Sequence, residues 1–207
     1  MVVTPLAHSP FFRPLTSEEL AAAAPPLLKD LTAPLVLFVG SRAHYKNFLM
    51  LFTALAEWPE SDNPPHLLAL GPEWTREEQS VLRFSPARHR FHQIVDPDDA
   101  VLRYWYNRAG VFVFPSLAEG FGIPLLEALA CGCPAAVSDL PVFREVAGDA
   151  ALYFDPEDPA SIRSALRQSL SDGRASPRAA AGLAIAQNYS WDFTARTIYE
   201  QIKYVVS

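Results

Sequence analysis

Short apolar runs recur along the chain from residue 34 onward. Each run is four or five residues long, which suits a strand better than a helix, and most of its positions are apolar, as expected for burial on both faces. Glycine or proline closes several of the runs. The six predicted strands are Leu35–Val39, His66–Leu70, Phe91–Val95, Val111–Phe114, Ala135–Ser138 and Ala151–Phe154.

Between these runs the pattern changes to helical spacing, often with proline or a capping residue at the start. The predicted helices are Asn47–Trp58, one from about Thr75, Pro97–Arg108, Pro124–Cys131, one from Pro141, Pro159–Leu170, Ala179–Ala186 and Trp191–Val206. Strands that alternate with helices are typical of a doubly wound parallel sheet. The predicted fold class is therefore α/β, with a single Rossmann-like domain over residues 34–207. Residues 1–33, punctuated by prolines, predict a lead-in or linker segment.

Composition narrows the class of protein. Half of the 207 residues are hydrophobic, which excludes intrinsic disorder. The 23 acidic and 17 basic side chains give a net charge of −6, which argues against a nucleic-acid partner. No basic start precedes an apolar run, and no stretch has the ~18–20 apolar residues of a transmembrane segment. We therefore expect a cytoplasmic protein, in which Cys131 and Cys133 are two small buried residues rather than a disulfide.

In a parallel sheet, ligands bind beyond the carboxyl ends of the strands. The first strand is followed by Gly40-Ser41-Arg42-Ala43-His44-Tyr45-Lys46-Asn47. This segment is neither a Gly-x-Gly-x-x-Gly nor a Walker motif, which disfavours dinucleotide enzymes and P-loop NTPases. Arg42 and Lys46 instead stand just ahead of a helix N-terminus, an arrangement that favours an anion. The alternative is that both are solvated surface charges.

The fourth strand leads into a second unusual segment. Glycines flank an aromatic residue at Gly120–Gly122, in a chain with nine glycines, and could let a ligand approach the backbone closely. Pro124 then begins a helix, and we expect the free amides of Leu125 and Leu126 to face a phosphate.

Two carboxylates accompany these glycines. Glu119 lies in the turn and Glu127 lies about one helical turn into the next helix. Carboxylates suit hydroxyl groups, so we predict sugar hydroxyls at Glu119 and ribose at Glu127. A loop glutamate and a helix-surface glutamate are the alternative, but Glu127 sits in an otherwise apolar helix, where a charge needs a reason.

These residues resemble the donor-binding half of a retaining glycosyltransferase of the GT-B fold, family four, also called glycosyl transferases group 1. Glu119 to Glu127 matches the Glu-x7-Glu motif of that family. The resemblance runs from about residue 34 to the C-terminus and is carried further by Phe38–Arg42 with Lys46-Asn47, by Ala130–Ser138, by Glu145–Pro159 and by Tyr189–Trp191.

The resemblance implies a role for each matching residue. Arg42 and Lys46 would hold the diphosphate of a nucleoside-diphosphate sugar and stabilise charge on the leaving group. Glu119 would contact the transferred sugar, and the backbone amides from Phe121 through Leu125 would line the sugar and the phosphates. Glu127 would contact the ribose, and the region of Ile94 and Val95 the base. No metal or other cofactor is implied. The donor-binding set is Gly40, Ser41, Arg42, Lys46, Val95, Glu119, Gly120, Phe121, Gly122, Ile123, Pro124, Leu125 and Glu127, of which Arg42, Lys46 and Glu119 are the catalytic candidates.

The family's enzymes have two Rossmann-like domains, and this chain matches the second. The resemblance therefore implies that the acceptor-binding half is a partner, supplied by an N-terminal domain or another chain, and that this chain is inactive alone. Two other functions remain open: a non-catalytic module that binds nucleotide sugars or a partner, and a sugar-nucleotide epimerase. The epimerase is disfavoured because the five histidines form no acid/base cluster by spacing. The base, the sugar and the acceptor are not identified by the sequence.

Overall fold

A computed structural model describes residues 4–25 and 31–206, with side chains described as far as residue 204. The predicted lead-in therefore lies partly outside the described residues.

Six parallel strands form one sheet. They are β1 (Leu35–Val39), β2 (His66–Gly71), β3 (Phe91–Val95), β4 (Val111–Phe114), β5 (Ala135–Ser138) and β6 (Ala151–Phe154). Their order is β3-β2-β1-β4-β5-β6, and each neighbouring pair is parallel. This is the strand order of a doubly wound Rossmann-like sheet, so the predicted fold class is confirmed. The register places Leu37 beside Leu68 on one side and Phe112 on the other.

From β1 onward the helices lie where the sequence pattern predicts them, with ends within about two residues of it, and one further short helix lies before β1 in the lead-in. They are α1 (Ser17–Ala22), α2 (Phe48–Ala56), α3 (Arg76–Phe84), α4 (Asp99–Arg108), α5 (Ile123–Ala130), α6 (Pro141–Ala147), α7 (Pro159–Asp172), α8 (Pro177–Ala186) and α9 (Trp191–Val206). Capping boxes begin α1 at Thr16 and α3 at Thr75, because each is followed three residues later by a glutamate that reaches back to the cap amide.

The sheet separates two hydrophobic cores. Strand residues such as Leu37 and Phe112 face α4, α5 and α6. Their neighbours along the strands, such as Phe38 and Val113, face α2 and α7. Because both faces are covered, all five residues of β1 are buried, as its continuous apolar run predicts.

The described part of the lead-in packs on this domain. Phe12 is buried in the core beside the ring of Tyr106, with the ring centroids 5.9 Å apart. The Leu15 amide donates to the Asn107 side chain at 2.8 Å, and the Thr194 hydroxyl donates to the Pro5 carbonyl at 2.7 Å. These contacts tie the segment to α4 and α9.

Cys131 and Cys133, at the end of α5, are buried and free, so the prediction of two small buried residues is confirmed.

Candidate functional site

The strand order reverses between β1 and β4. β1 leads toward β2 and β3, whereas β4 leads toward β5 and β6, so the loops that follow β1 and β4 diverge and leave a crevice. Both sequence segments predicted to carry the chemistry lie at this point. A hydrogen bond from the Leu117 amide to the Tyr45 carbonyl, 2.7 Å long, joins the two loops.

Lys46 and Glu119 meet in this crevice. The Lys46 Nζ lies 2.7 Å from the Glu119 Oε1, and both side chains are 11% exposed. The Ser116 hydroxyl also donates to Glu119 Oε1 at 2.7 Å, a partner that the sequence did not suggest. The Lys46 Nζ also lies 4.7 Å from the centre of the Phe114 ring, within cation–π range. A cation and a carboxylate are therefore held side by side at the edge of the sheet, in the region where Rossmann-like domains bind ligands.

The glycine loop leads from Glu119 into α5. Gly122 precedes the helix with φ +96°, and a Cβ there would lie 2.9 Å from the Phe143 ring, so the position requires glycine. The amides of Leu125 and Leu126 both donate to the Gly122 carbonyl, at 3.0 and 3.2 Å. The expectation that these two amides are free is therefore wrong: they close the first turn of α5.

The amides available to a ligand lie slightly earlier in the chain. Those of Phe121, Gly122 and Ile123 donate no hydrogen bond to any residue that the structure describes. They lie at the start of α5, which has no side-chain cap. Unpaired amides at a helix N-terminus favour a negative charge.

Glu127 projects from the second turn of α5 into a mostly buried position. Burial raises the pKa of its carboxyl group from the ordinary 4.5 to about 7. The hydrogen bond from the Tyr106 hydroxyl, 3.1 Å long, opposes this rise, and the charge of Asp99 adds to it. Burial therefore favours the neutral form of this carboxyl group. Keeping a glutamate at this position of an apolar helix has an energetic cost, as the sequence pattern suggested.

Arg42 does not share the crevice with Lys46. Its side chain is 1% exposed, and its Nε lies 2.9 Å from Glu78 Oε1 in α3. The Nη2 donates to the carbonyls of Pro72 and Glu73. Glu78 was not anticipated as its partner. The role of Arg42 as a diphosphate ligand stays a prediction, and in this structure the side chain is engaged elsewhere.

The remaining predicted residues lie along the same edge of the sheet. Gly40 has φ +127° and open space around it, and Ser41 is exposed. Val95, at the end of β3, is 44% exposed. The structure adds Gly71 to the set of required glycines, because a Cβ there would lie 2.3 Å from the Gly40 carbonyl oxygen. The sequence signal for Gly71 was its position directly after the predicted strand His66–Leu70.

An Asp-x-Asp triplet, Asp96-Pro97-Asp98, follows β3, but Asp98 caps α4 by accepting from the Val101 amide at 2.8 Å. Within residues 4–25 and 31–206, no group of three His, Cys, Asp or Glu side chains could hold a metal ion. The expectation of a metal-free reaction stays a prediction. Among the helices in that part of the chain, none combines the length and apolar character needed to cross a bilayer.

Comparison with known proteins identifies the family. The sequence pattern of the family described as glycosyl transferases group 1 matches residues 22–183, well over half of the chain. The chain therefore belongs to this family and contains a glycosyltransferase group 1 domain.

Relatives and solved structures agree with this assignment. The chain is 45% identical over 95 residues to O-antigen chain mannosyltransferase B of Escherichia coli, covering 45% of this chain and 25% of that protein. It is 31% identical over 165 residues to the serotype-specific mannosyltransferase WbdA of Escherichia coli, covering 77% and 19%.

Two solved structures share the fold. Sucrose-phosphate synthase from Thermosynechococcus elongatus matches with a TM-score of 0.80 at 22% identity, over 95% of this chain and 50% of that one. Anabaena HepE, in complex with UDP and glucose, matches with a TM-score of 0.79 at 16% identity, over 93% and 54%. This chain thus spans about half the length of these structures and a quarter or less of the two mannosyltransferases.

Proposed function

We propose that the chain binds a nucleoside-diphosphate sugar and acts as the donor half of a retaining, metal-independent, cytoplasmic glycosyltransferase. The observation that carries the proposal is the Lys46–Glu119 pair at the β1/β4 crevice, next to the amides of Phe121–Ile123 at the start of α5, which have no partner among the described residues. A cation and helix N-terminal amides suit a diphosphate, and a neighbouring carboxylate suits sugar hydroxyls.

Each of these residues then contacts one part of the donor: the diphosphate, the transferred sugar, the ribose or the base. Lys46 and the amides of Phe121–Ile123 hold the diphosphate and stabilise the charge that develops on it when the glycosidic bond breaks. Glu119 accepts hydrogen bonds from the transferred sugar. Glu127 accepts them from the ribose, and Val95 packs against the base.

The raised pKa of Glu127 fits this role. An isolated carboxylate in a mostly apolar position is unfavourable, and ribose hydroxyls would supply the hydrogen bonds that it lacks. The bound donor would therefore favour the ionised carboxylate, and its binding would displace the proton that burial favours.

The sugar is best sought among mannosyl donors. Both sequence relatives described above are mannosyltransferases, so a nucleoside diphosphate mannose is the first donor to test. UDP-glucose is the second, because Anabaena HepE was solved with UDP and glucose. The acceptor would be bound by the other half that the matching structures contain, and transfer would require that half.

Titration calorimetry tests the proposal. The chain is titrated with GDP-mannose, UDP-glucose, ADP-glucose and dTDP-glucose, and one of them is expected to bind. Lys46→Ala should weaken that binding roughly 10- to 150-fold, equivalent to about 1.5–3 kcal/mol for a lost charged hydrogen bond. Lys203→Ala is the matched control, because that lysine is 60% exposed on α9.

The outcomes separate the alternatives. Absence of binding across the panel would contradict the proposal. Donor binding without transfer or donor hydrolysis, even when the acceptor-binding half is supplied, would favour a non-catalytic binding module instead.

A further inference from the structure

The Arg42 guanidinium contacts residues of α2, of α3 and of the β2–α3 loop. Its Nε donates to both carboxylate oxygens of Glu78, at 2.9 and 3.0 Å, and its Nη2 donates to two carbonyls of the β2–α3 loop. The guanidinium carbon lies 4.7 Å from the Trp74 ring and 5.6 Å from the Phe48 ring. The Nη1 lacks a hydrogen-bond partner among the described residues, but it is buried.

The Glu78 carboxylate both caps α3 and pairs with Arg42. Glu78 is the third residue of α3, and its Oε2 accepts from the Thr75 amide at 2.7 Å in the capping box. The same carboxylate binds Arg42, and its side chain is 5% exposed. A buried ion pair of this kind resists separation, because removing either partner leaves an uncompensated charge.

The pair joins two loops at the ligand edge of the sheet. Arg42 belongs to the loop after β1, and the groups that it binds belong to the loop after β2 and to the start of α3. Four residues after Arg42, the same loop presents Lys46 to Glu119. The far end of the loop is fixed by Asn47, whose side-chain amide donates to the Pro156 carbonyl at 2.7 Å. Hydrogen bonds therefore hold the loop on both sides of Lys46, at Arg42 and at Asn47.

We propose that Arg42 is a positioning residue for Lys46 rather than a ligand of the diphosphate, with Glu78 as its essential partner. The inference rests on the proposed function, since it concerns how the donor site is ordered. Arg42 holds the β1–α2 loop in place, and Lys46 alone supplies the side-chain cation to the phosphates.

The effect of Glu78→Gln distinguishes the two roles of Arg42. Glutamine keeps the capping box, which accepts either residue, but removes the charge that holds Arg42. If Arg42 positions the loop, the variant weakens nucleotide binding about tenfold, the size seen when a partner that orients a metal ligand is removed. If Arg42 instead swings out to bind phosphate, the variant frees it, and binding stays the same or tightens.

Calorimetry with GDP, UDP, ADP and dTDP measures this effect in the wild type, Glu78→Gln, Arg42→Lys and Arg42→Ala. Glu77→Gln, on the exposed side of the same helical turn, is the matched control. We expect Glu78→Gln and Arg42→Ala to weaken binding by similar factors and the double variant to be no weaker than either. Unchanged or tighter binding by Glu78→Gln would overturn the proposal.

Hydrogen exchange gives a readout without nucleotide. The Leu117 amide donates to the Tyr45 carbonyl, so its exchange reports how firmly the β1–α2 loop is held. We expect faster exchange at Leu117 in Glu78→Gln, with the core amide of Val113 unchanged. Unaltered exchange at Leu117 would overturn the positioning role. If the wild type binds none of GDP, UDP, ADP and dTDP, the proposed function loses its support, and exchange at Leu117 still decides whether Arg42 and Glu78 order the loop.

Discussion

Replacing Glu127 with glutamine should stabilise the free protein at alkaline pH. The pKa of the buried carboxyl group is about 7 in the folded chain against an ordinary 4.5, so the folded state binds more protons between these values. Stability therefore falls as pH rises through this window. The glutamine amide is neutral at every pH and can still accept the hydrogen bond from Tyr106.

The size of the effect follows from the two pKa values. At about 1.4 kcal/mol for each unit of pKa, ionising Glu127 costs the folded state up to about 3.5 kcal/mol once both states are fully ionised. Most of this, about 2.5 kcal/mol, should appear between pH 5 and pH 8.

Urea unfolding followed by tryptophan fluorescence at pH 5 and pH 8 measures the difference. The stability of Glu127→Gln relative to wild type should rise by about 2.5 kcal/mol between the two pH values. Glu200→Gln, which replaces an exposed carboxylate on α9, serves as the control. A Glu127→Gln difference that is the same at both pH values would refute the reasoning, because it would mean that Glu127 does not titrate with a raised pKa.

Three further predictions concern the site and the sheet. Donor binding near pH 7 should release up to about half a proton from Glu127, seen as a dependence of the calorimetric enthalpy on buffer ionisation; no buffer dependence would count against ribose at this carboxylate. Gly71→Ala should destabilise the chain by about 3 kcal/mol or more in urea unfolding, because its Cβ would lie 2.3 Å from the Gly40 carbonyl oxygen; a loss under 1 kcal/mol would contradict this. His66 and His92 share a 2.8 Å hydrogen bond, and burial lowers the pKa of both, so this pair contributes less stability as pH drops below about 6.5; thermal melts should show wild type losing stability relative to His92→Gln over that range.

The sheet could be predicted from the sequence because each strand is an uninterrupted apolar run. The pattern at Leu35–Val39 gave the observed bounds, since burial on both faces leaves little room for a polar position. The position of Lys46 and Glu119 at the same edge of the sheet could also be predicted, because parallel strands bring the segments that follow them to one edge, but their ion pair was not predicted.

The contacts that could not be predicted join residues that are far apart in the sequence. The capping box of Thr75 and Glu78 is readable locally, but nothing nearby in the sequence indicates that Glu78 also pairs with Arg42, 36 positions away. The bond between Tyr106 and Glu127 is of the same kind. The Leu125 amide, which the sequence pattern left free for a ligand, donates instead to the Gly122 carbonyl.

Amide chemical-shift mapping tests whether the donor binds in the crevice between β1 and β4. The ¹H–¹⁵N spectrum of the chain is recorded while the nucleoside-diphosphate sugar that binds best in calorimetry is added. We expect the largest shifts at the amides of Phe121, Gly122 and Ile123 and in the segment around Lys46. Shifts confined to the opposite edge of the sheet, near His66 and His92, or no shifts at saturating donor, would contradict this expectation.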